Sequence, residues 1–441
     1  MQQQNLQKLI HVSLLVLLAT GLNSAELSRQ GSRLAENLGM LLGLPLDMEI
    51  PRTNASAVPQ FLMDVYNCWT NLGANNVDRA SCLPISDRAA KNLEDINVVR
   101  GVKGTALPTS SEGVFSHSPH RLPASITYHF NVSKRRVKED VRYAYVRIPK
   151  QALPQKSIER VKEQCSGPFS LQLLMRVHSN ETDTTPRNVF TLLSSAQLTL
   201  DGIGRSIQVE FSNITHQFTQ WQKEDMAPTR WDVVEVRLII GGSDSCYNTL
   251  TPEDLGFRLD TNAHIVVFAK SDDSEEALIK AGLAELAAEA TASRQRRNAE
   301  DSGSMQGSDT ADQTVSGRPN LTHLTNHTEF NASTYHLRSC RRYSHTISFA
   351  ELGWGDYIFL PETYEANFCA GSCEYPLTTN HNTTKHSYIQ SLAAKLNPDL
   401  VPPPCCTPHT LSSVNVIYAT ESENFVAHEW HEMRAEVCGC K

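Results

Sequence analysis

Seven cysteines lie in the last 102 residues, and their spacing constrains the fold more than any other feature of this 441-residue chain. They run Cys340, then Cys369-Ala-Gly-Ser-Cys373, then adjacent Cys405 and Cys406, then Cys438-Gly-Cys440 one residue from the end. Bridges Cys369–Cys438 and Cys373–Cys440 would close a ring of eight residues. A third bridge, Cys340–Cys406, could thread that ring only past a nearly bare inner wall, and Gly371 brings no Cβ there. Six cysteines allow many pairings, and spacing alone leaves them open. Seven is odd, so one thiol stands outside any three bridges. Vicinal cysteines such as Cys405 and Cys406 rarely bridge each other without strain, so one can turn inward while the other faces outward.

The compartment decides how those thiols are read. Residues 1–24 place one Lys before a short apolar run, Leu9 to Leu18, followed by small and polar residues. That is the layout of a signal peptide, and the run is too short to span a bilayer. No other stretch reaches about 18 consecutive apolar residues, so no membrane insertion is expected. Eight N-x-S/T sequons, at Asn54, Asn131, Asn180, Asn213, Asn320, Asn326, Asn331 and Asn382, suit a secreted, extracellular glycoprotein. In that setting a leftover cysteine usually pairs between chains. Hydrophobic residues at 40% allow a packed core, and a net charge of −8 gives no reason to expect nucleic acid. Eight of the Lys and Arg but sixteen of the Asp and Glu follow Arg297, so the acidic surplus sits wholly in the C-terminal portion.

The chain divides into parts of different pattern. Leu34, Leu38, Leu41 and Leu42 form one helical stripe ending at Pro45, and Phe61, Leu62, Val65, Tyr66 and Trp69 form a second after Pro59. Bundle packing within this segment is one reading of the stripes, and docking on the C-terminal portion is another. From 126 to 270 the pattern becomes strand-like at 141–148, 169–177, 207–211, 232–240 and 264–269. A β-sandwich-like region is expected there, making 25–297 an α+β unit. An Ala/Glu/Leu helix at about 274–289 runs into Arg294-Gln295-Arg296-Arg297. Residues 298–339 then read as a flexible, acidic, glycosylated linker. A basic tetrad between a helix and such a linker is open to a processing protease, and R-x-R-R matches furin-like convertases.

The last segment, 340–441, resembles the mature domain of the transforming-growth-factor-β superfamily over its whole length. The resemblance rests on the cysteine pattern with YEANFCAGSC, PPPCCTP and EVCGCK around it. Residues 340–369 resemble that family's first finger, HNTTKHSYIQSLAAKLNPD its central helix, and VNVIYATESENFVAHEWHEM its second finger. Upstream, VPQFLMDVYN and NVVRG are similar to family prodomains. KHSYIQSL and the single first cysteine look like the bone morphogenetic protein and nodal branch, whereas YEANFCAGSC is closer to the transforming growth factors proper. The resemblance implies a small β-rich cystine-knot domain of two fingers and one helix. It implies pairs Cys340–Cys406, Cys369–Cys438 and Cys373–Cys440, with Cys405 as the interchain thiol of a homodimer, or of a heterodimer with a related ligand. It further implies cleavage after Arg297, docking on the chain's own prodomain, and binding to type I and type II receptor serine/threonine kinases that signal through Smad proteins in development. Trp354 and Tyr357 match the type I epitope, where Tyr357 replaces a usual Trp. Asn415 and Ile417 match type II positions, and Ala427 stands where bone morphogenetic proteins usually carry Leu.

Apolar residues support a binding role independently of the resemblance. A domain of 102 residues with extended fingers has little interior. Val414, Val416, Tyr418, Phe425 and Val426 lie in alternating runs, so one finger face is expected to be partly exposed. Trp354 and Tyr357 could equally pack on a partner protomer's helix, where Ile389, Leu392, Ala393 and Leu396 recur at helical spacing.

Other classes fare worse. HEWHE (428–432) sets its histidines three apart, whereas the zinc motif HExxH needs four on a helix, and no nucleophile elbow or P-loop occurs. No enzyme, cofactor or metal is expected. Structural zinc on C-x3-C and C-x-C conflicts with secretion, where thiols oxidise. A secreted cystine-knot antagonist that binds other ligands is the alternative, but some 270 residues precede the basic tetrad, an architecture such antagonists generally lack.

Overall fold

The computed structural model describes residues 39, 44, 57–72, 78–85, 93, 95–107, 125–132, 139–165, 168–177, 189–223, 233–241, 250–271, 338–378, 382–420 and 424–441. The expected signal peptide, the first leucine stripe, the helix at 274–289, Arg294, Arg296, Arg297 and nearly all of the linker lie outside the described residues. So do Cys246 and the sequons at Asn54, Asn180, Asn320, Asn326 and Asn331. The chain forms two compact units, residues 53–272 together with 417–428, and 1–52 and 273–416 together with 429–441.

In the first unit, helix α1 (Gln60–Thr70) begins directly after Pro59. Its buried residues Phe61, Leu62, Val65 and Trp69 recur every three or four positions and so share one face. The Cys68–Cys82 disulfide ties the helix to the 3-10 turn Arg79–Cys82, where the Arg79 guanidinium sits 4.1 Å over the Trp69 ring. The buried face rests on strand β1 (Val98–Leu107) at Gly101, where a Cβ would stand 2.9 Å from the Phe61 ring. The second apolar stripe therefore packs in part on a strand of its own unit, not in a helix bundle within the early segment.

Among the described residues, eight strands from 98–271 contribute to the sheet of this unit. After β1 come β2 (Ser125–Asn131), β3 (Glu139–Lys150), β4 (Phe169–Val177), β5 (Val189–Leu198), β6 (Ile207–Phe211), β7 (Val233–Gly241) and β8 (Ala263–Ser271). The antiparallel order is β6–β3–β8–β1–β2–β7–β4–β5. Ser194 of β5 donates to the Ser212 carbonyl at 2.9 Å, just past β6, so the two ends of this order approach each other. The curled sheet encloses Tyr128, Phe130, Leu171, Phe211, Leu238 and Ile265, all fully buried. Each such side chain contributes about 1.5–3 kcal/mol of hydrophobic stabilisation. Helices α2 (Gln155–Gln164) and α3 (Thr215–Lys223) add Val161 and Phe218 to the same core. Lys150, at the end of β3, is buried among backbone carbonyls and donates to those of Gln151, Ile203 and Arg205 at 2.9, 2.7 and 3.0 Å.

In the second unit, short strands β9 (Arg341–Tyr343) and β13 (Phe368–Ala370) pair, as do β10 (Thr346–Ser348) and β12 (Thr363–Glu365), with β11 (Ile358–Leu360) between them in the chain. Helix α4 (Lys385–Leu396) is capped by Thr384, whose hydroxyl accepts from the Ser387 N–H in a reciprocal capping box. Two long strands follow, β14 (Cys406–Ala419) and β15 (Phe425–Cys440). Their far ends, residues 417–428, belong to the first unit.

Candidate functional site

The C-terminal strands bring the six paired cysteines together. Disulfides join Cys340 to Cys406, Cys369 to Cys438 and Cys373 to Cys440, with Cα separations of 5.4, 5.6 and 5.7 Å. The sulfurs of Cys340, Cys373 and Cys440 lie within 4.8 Å of one another. Gly371 sits at this crowded point with φ +127°, and a Cβ there would come within 2.6 Å of the Ser339 carbonyl oxygen. The Ser372 carbonyl accepts from the Cys340 N–H at 3.0 Å, which holds the threading cysteine against the ring. All six sulfurs are consumed in bridges, so none is a thiolate able to bind zinc.

Cys405 is different. It is free and exposed. Its backbone is pinned on both sides, Cys405 N–H to the Lys441 carbonyl and Lys441 N–H to the Cys405 carbonyl, each at 2.9 Å. The fixed main chain sends Cys406 into the knot while the neighbouring Sγ stays in solvent. On α4, Ile389 and Leu396 are 66% and 75% exposed, so the helix keeps an apolar face that its own unit leaves open.

Trp354 and Tyr357 differ in exposure. Trp354 is only 3% exposed, because its ring stacks on Phe349 at 6.2 Å. Phe349 also stacks on Tyr364 and meets Trp430 edge-on, which makes a compact aromatic cluster. Tyr357 is half-buried. The residue the sequence did not single out is Phe349, whose ring lies at the centre of these contacts.

At the finger tip, the alternating side chains are covered in the uncut chain. Val414, Val416, Tyr418, Phe425 and Val426 are all buried, and so are Ile417 and Ala427 between them; Asn415 is half-buried. Neither face of the run is open in the intact chain. Residues 425–428 continue the first unit's sheet, pairing antiparallel with β1 from Val98↔His428 to Gly101↔Phe425. Main-chain pairing along one edge and packing above and below hide both sets of alternating side chains. HEWHE lies on strand β15, with His428 and Trp430 buried and His431 exposed. Among the described residues, the only grouping of metal-ligand atoms is that of the three bridged cysteines.

Three sequons are visible. Asn213 is exposed with φ 64°. Asn131 ends β2, and Asn382 donates its side-chain amide to the Cys438 carbonyl at 3.0 Å. Among the described residues no helix is long and apolar enough to cross a membrane.

The threaded knot has a counterpart among known proteins, for residues 339–440 match the model of the transforming growth factor beta like domain. Over this C-terminal domain the chain is similar to that growth-factor family. Decapentaplegic of Drosophila pseudoobscura pseudoobscura is 40% identical over 106 residues, 24% of this chain and 17% of that protein. The dbl-1 protein of Caenorhabditis elegans is 42% identical over 102 residues, 23% of this chain and 28% of its own length. Mouse bone morphogenetic protein 8A is 40% identical over 101 residues, 23% of this chain and 25% of its length. The matched stretch thus spans under a third of these relatives. What these relatives share with the chain is sequence similarity over about 100 residues.

Proposed function

We propose that the chain is the precursor of a secreted signalling dimer. A signal peptide, residues 1–24, directs it out of the cell, and a furin-like convertase cuts after Arg297. The mature part then acts as a dimer joined through Cys405, a homodimer or a pair with a related ligand. It engages type I and type II receptor serine/threonine kinases and signals through Smad proteins during development. The observation that carries this reading is the exposed, unbridged Cys405 beside a closed knot, for a lone surface thiol in an oxidising compartment finds a partner on another chain.

The open apolar face of α4 supports a second copy at this surface, because neighbouring apolar and covalent contacts reinforce each other. Buried Ile417 and Ala427 support a precursor whose type II surface stays covered until the prodomain leaves. Tyr357, beside the aromatic cluster that holds Trp354, supplies the accessible part of the type I surface. The decisive test uses Arg297→Ala in secreting cells. The expected result is an uncut chain and loss of Smad reporter activity in treated cells. Normal-sized mature protein with full activity would overturn the reading.

A further inference from the structure

Strand β1 changes partner halfway along one edge. Over Val98–Gly101 it pairs with residues 425–428 of β15, and over Gly104–Leu107 with residues 127–130 of β2. The ends of β15 and β2 therefore meet opposite Val102 and Lys103. Asn424 fills that junction and is 5% exposed. Its Oδ1 accepts from the Lys103 backbone N–H at 2.9 Å, and its Nδ2 donates to the Asn131 backbone carbonyl at 3.2 Å. Its own carbonyl is engaged elsewhere, accepting from the N–H and hydroxyl of Thr420 at 2.7 and 3.2 Å to close the hairpin of the finger. The side-chain amide thus offers one acceptor and one donor, the complement of a peptide unit, where the sheet passes from one strand to the next.

We propose that Asn424 is the residue that sets register, and with it selectivity, on a strand-docking surface formed by the finger tip. Its partner is the extended segment 98–103 of the chain's own prodomain. The inference rests on the precursor reading above and adds the residue that makes the docking specific. A main-chain ladder accepts any extended segment regardless of its sequence. Register must come from somewhere else. A slip of one residue would turn Val98 and Val99 to opposite faces and carry the Lys103 N–H away from Asn424. At the other end of β1, Asn97 brackets the N–H and carbonyl of Ser271 at 2.7 and 3.3 Å, which holds the strand's position against β8. With β1 held there, the finger tip finds one register in which its own buried amide is satisfied, and leaving a buried amide unsatisfied is costly. A segment from an unrelated chain that lacks an N–H and a neighbouring strand end at that point forfeits both bonds.

Hydrogen–deuterium exchange on the secreted full-length chain tests this with Asn424→Ala and Asn424→Asp. In Asn424→Ala, amides of 98–103 and 425–428 should exchange at least about tenfold faster, the effect of losing bonds to a buried polar group. The Thr420 amide and those of β4 and β5 should keep their protection, since their acceptors are backbone carbonyls. Asn424→Asp keeps the acceptor and loses the donor, so Lys103 should stay better protected than in the alanine variant. If Asn424→Ala does not accumulate, Asn424→Ser supplies the same comparison. Unchanged exchange at 98–103, or loosening of Thr420 to the same extent, would overturn the inference, the latter because it marks a role in the hairpin alone. Neither result depends on cleavage or receptors, so the precursor reading would survive such a failure.

Discussion

A Cβ on Gly371 would stand 2.7 Å from the backbone nitrogen of Cys340, closer than real Cβ contacts come. Cys340 begins the bridge that passes beside the Cys373–Cys440 bond, and Gly371 faces it with a left-handed φ of +127°. The three nearest atoms all belong to the Ser339–Cys340 backbone, so no side chain can move aside to relieve the clash. Gly371→Ala should therefore destabilise the knot by about 3 kcal/mol or more, combining φ strain with overlap. Secreted yield and a non-reducing map of the disulfides check this, and a normal knot at normal yield would contradict it.

Cys405 and Cys406 are neighbours with opposite environments, one free and exposed, the other bridged to Cys340. Cys405→Ser should remove the covalent dimer on a non-reducing gel while each protomer keeps its fold. Cys406→Ser breaks a bridge in a domain with little interior, a loss of about 2–5 kcal/mol, and should greatly reduce secretion. Equal behaviour of the two variants would show that the interchain role lies elsewhere.

His264 on β8 is held down to about 4, first by burial and then by the positive charges of Arg147 and Lys103. Phe61 meets its ring edge-on at 5.5 Å. The unfolded chain takes up a proton near pH 6.5 and the folded chain does not, so stability is full above that pH and is lost as pH falls toward 4. Over the whole window the loss is of the order of 3 kcal/mol. Urea midpoints at pH 7 and pH 5 should separate in the wild-type chain, and His264→Gln should narrow the gap. An unchanged gap would show that other groups govern acid sensitivity.

Lys150 donates to three carbonyls from a buried position. Lys150→Met fills much the same space but leaves those oxygens without their cation, at a cost of about 3 kcal/mol. Chemical denaturation of the uncut chain measures it. A midpoint equal to the wild type would mean that water or a shift of the neighbouring Ile203 turn replaces the ammonium.

Local pattern made much of this architecture legible. The runs at 169–177 and 207–211 coincide with β4 and β6, and α1 starts where Pro59 said it should. Strands β1, β2 and β5 lie outside the strand-like runs of the sequence. β1 carries two glycines and charges, and β5 is rich in Ser, Thr and Gln, so neither reads as a β-branched strand. Their pairing depends on neighbours, such as Phe61 over Gly101, that lie far away in the chain.

The sequence by itself determined the number of cysteines, the odd thiol, the glycine the knot requires and the alternation along the second finger, because these follow from residue identity and short spacing. Tertiary structure alone decided which faces of that finger are open. The alternation of 414–426 calls for one buried face, yet both are covered, since Val98–Gly101 extends the sheet alongside 425–428. Only the folded chain brings Asn424 to the backbone of Lys103, 321 residues earlier in the sequence. Strand pairing is made by main-chain groups that every residue carries, so a sequence marks where a strand can form but not which distant edge it will join.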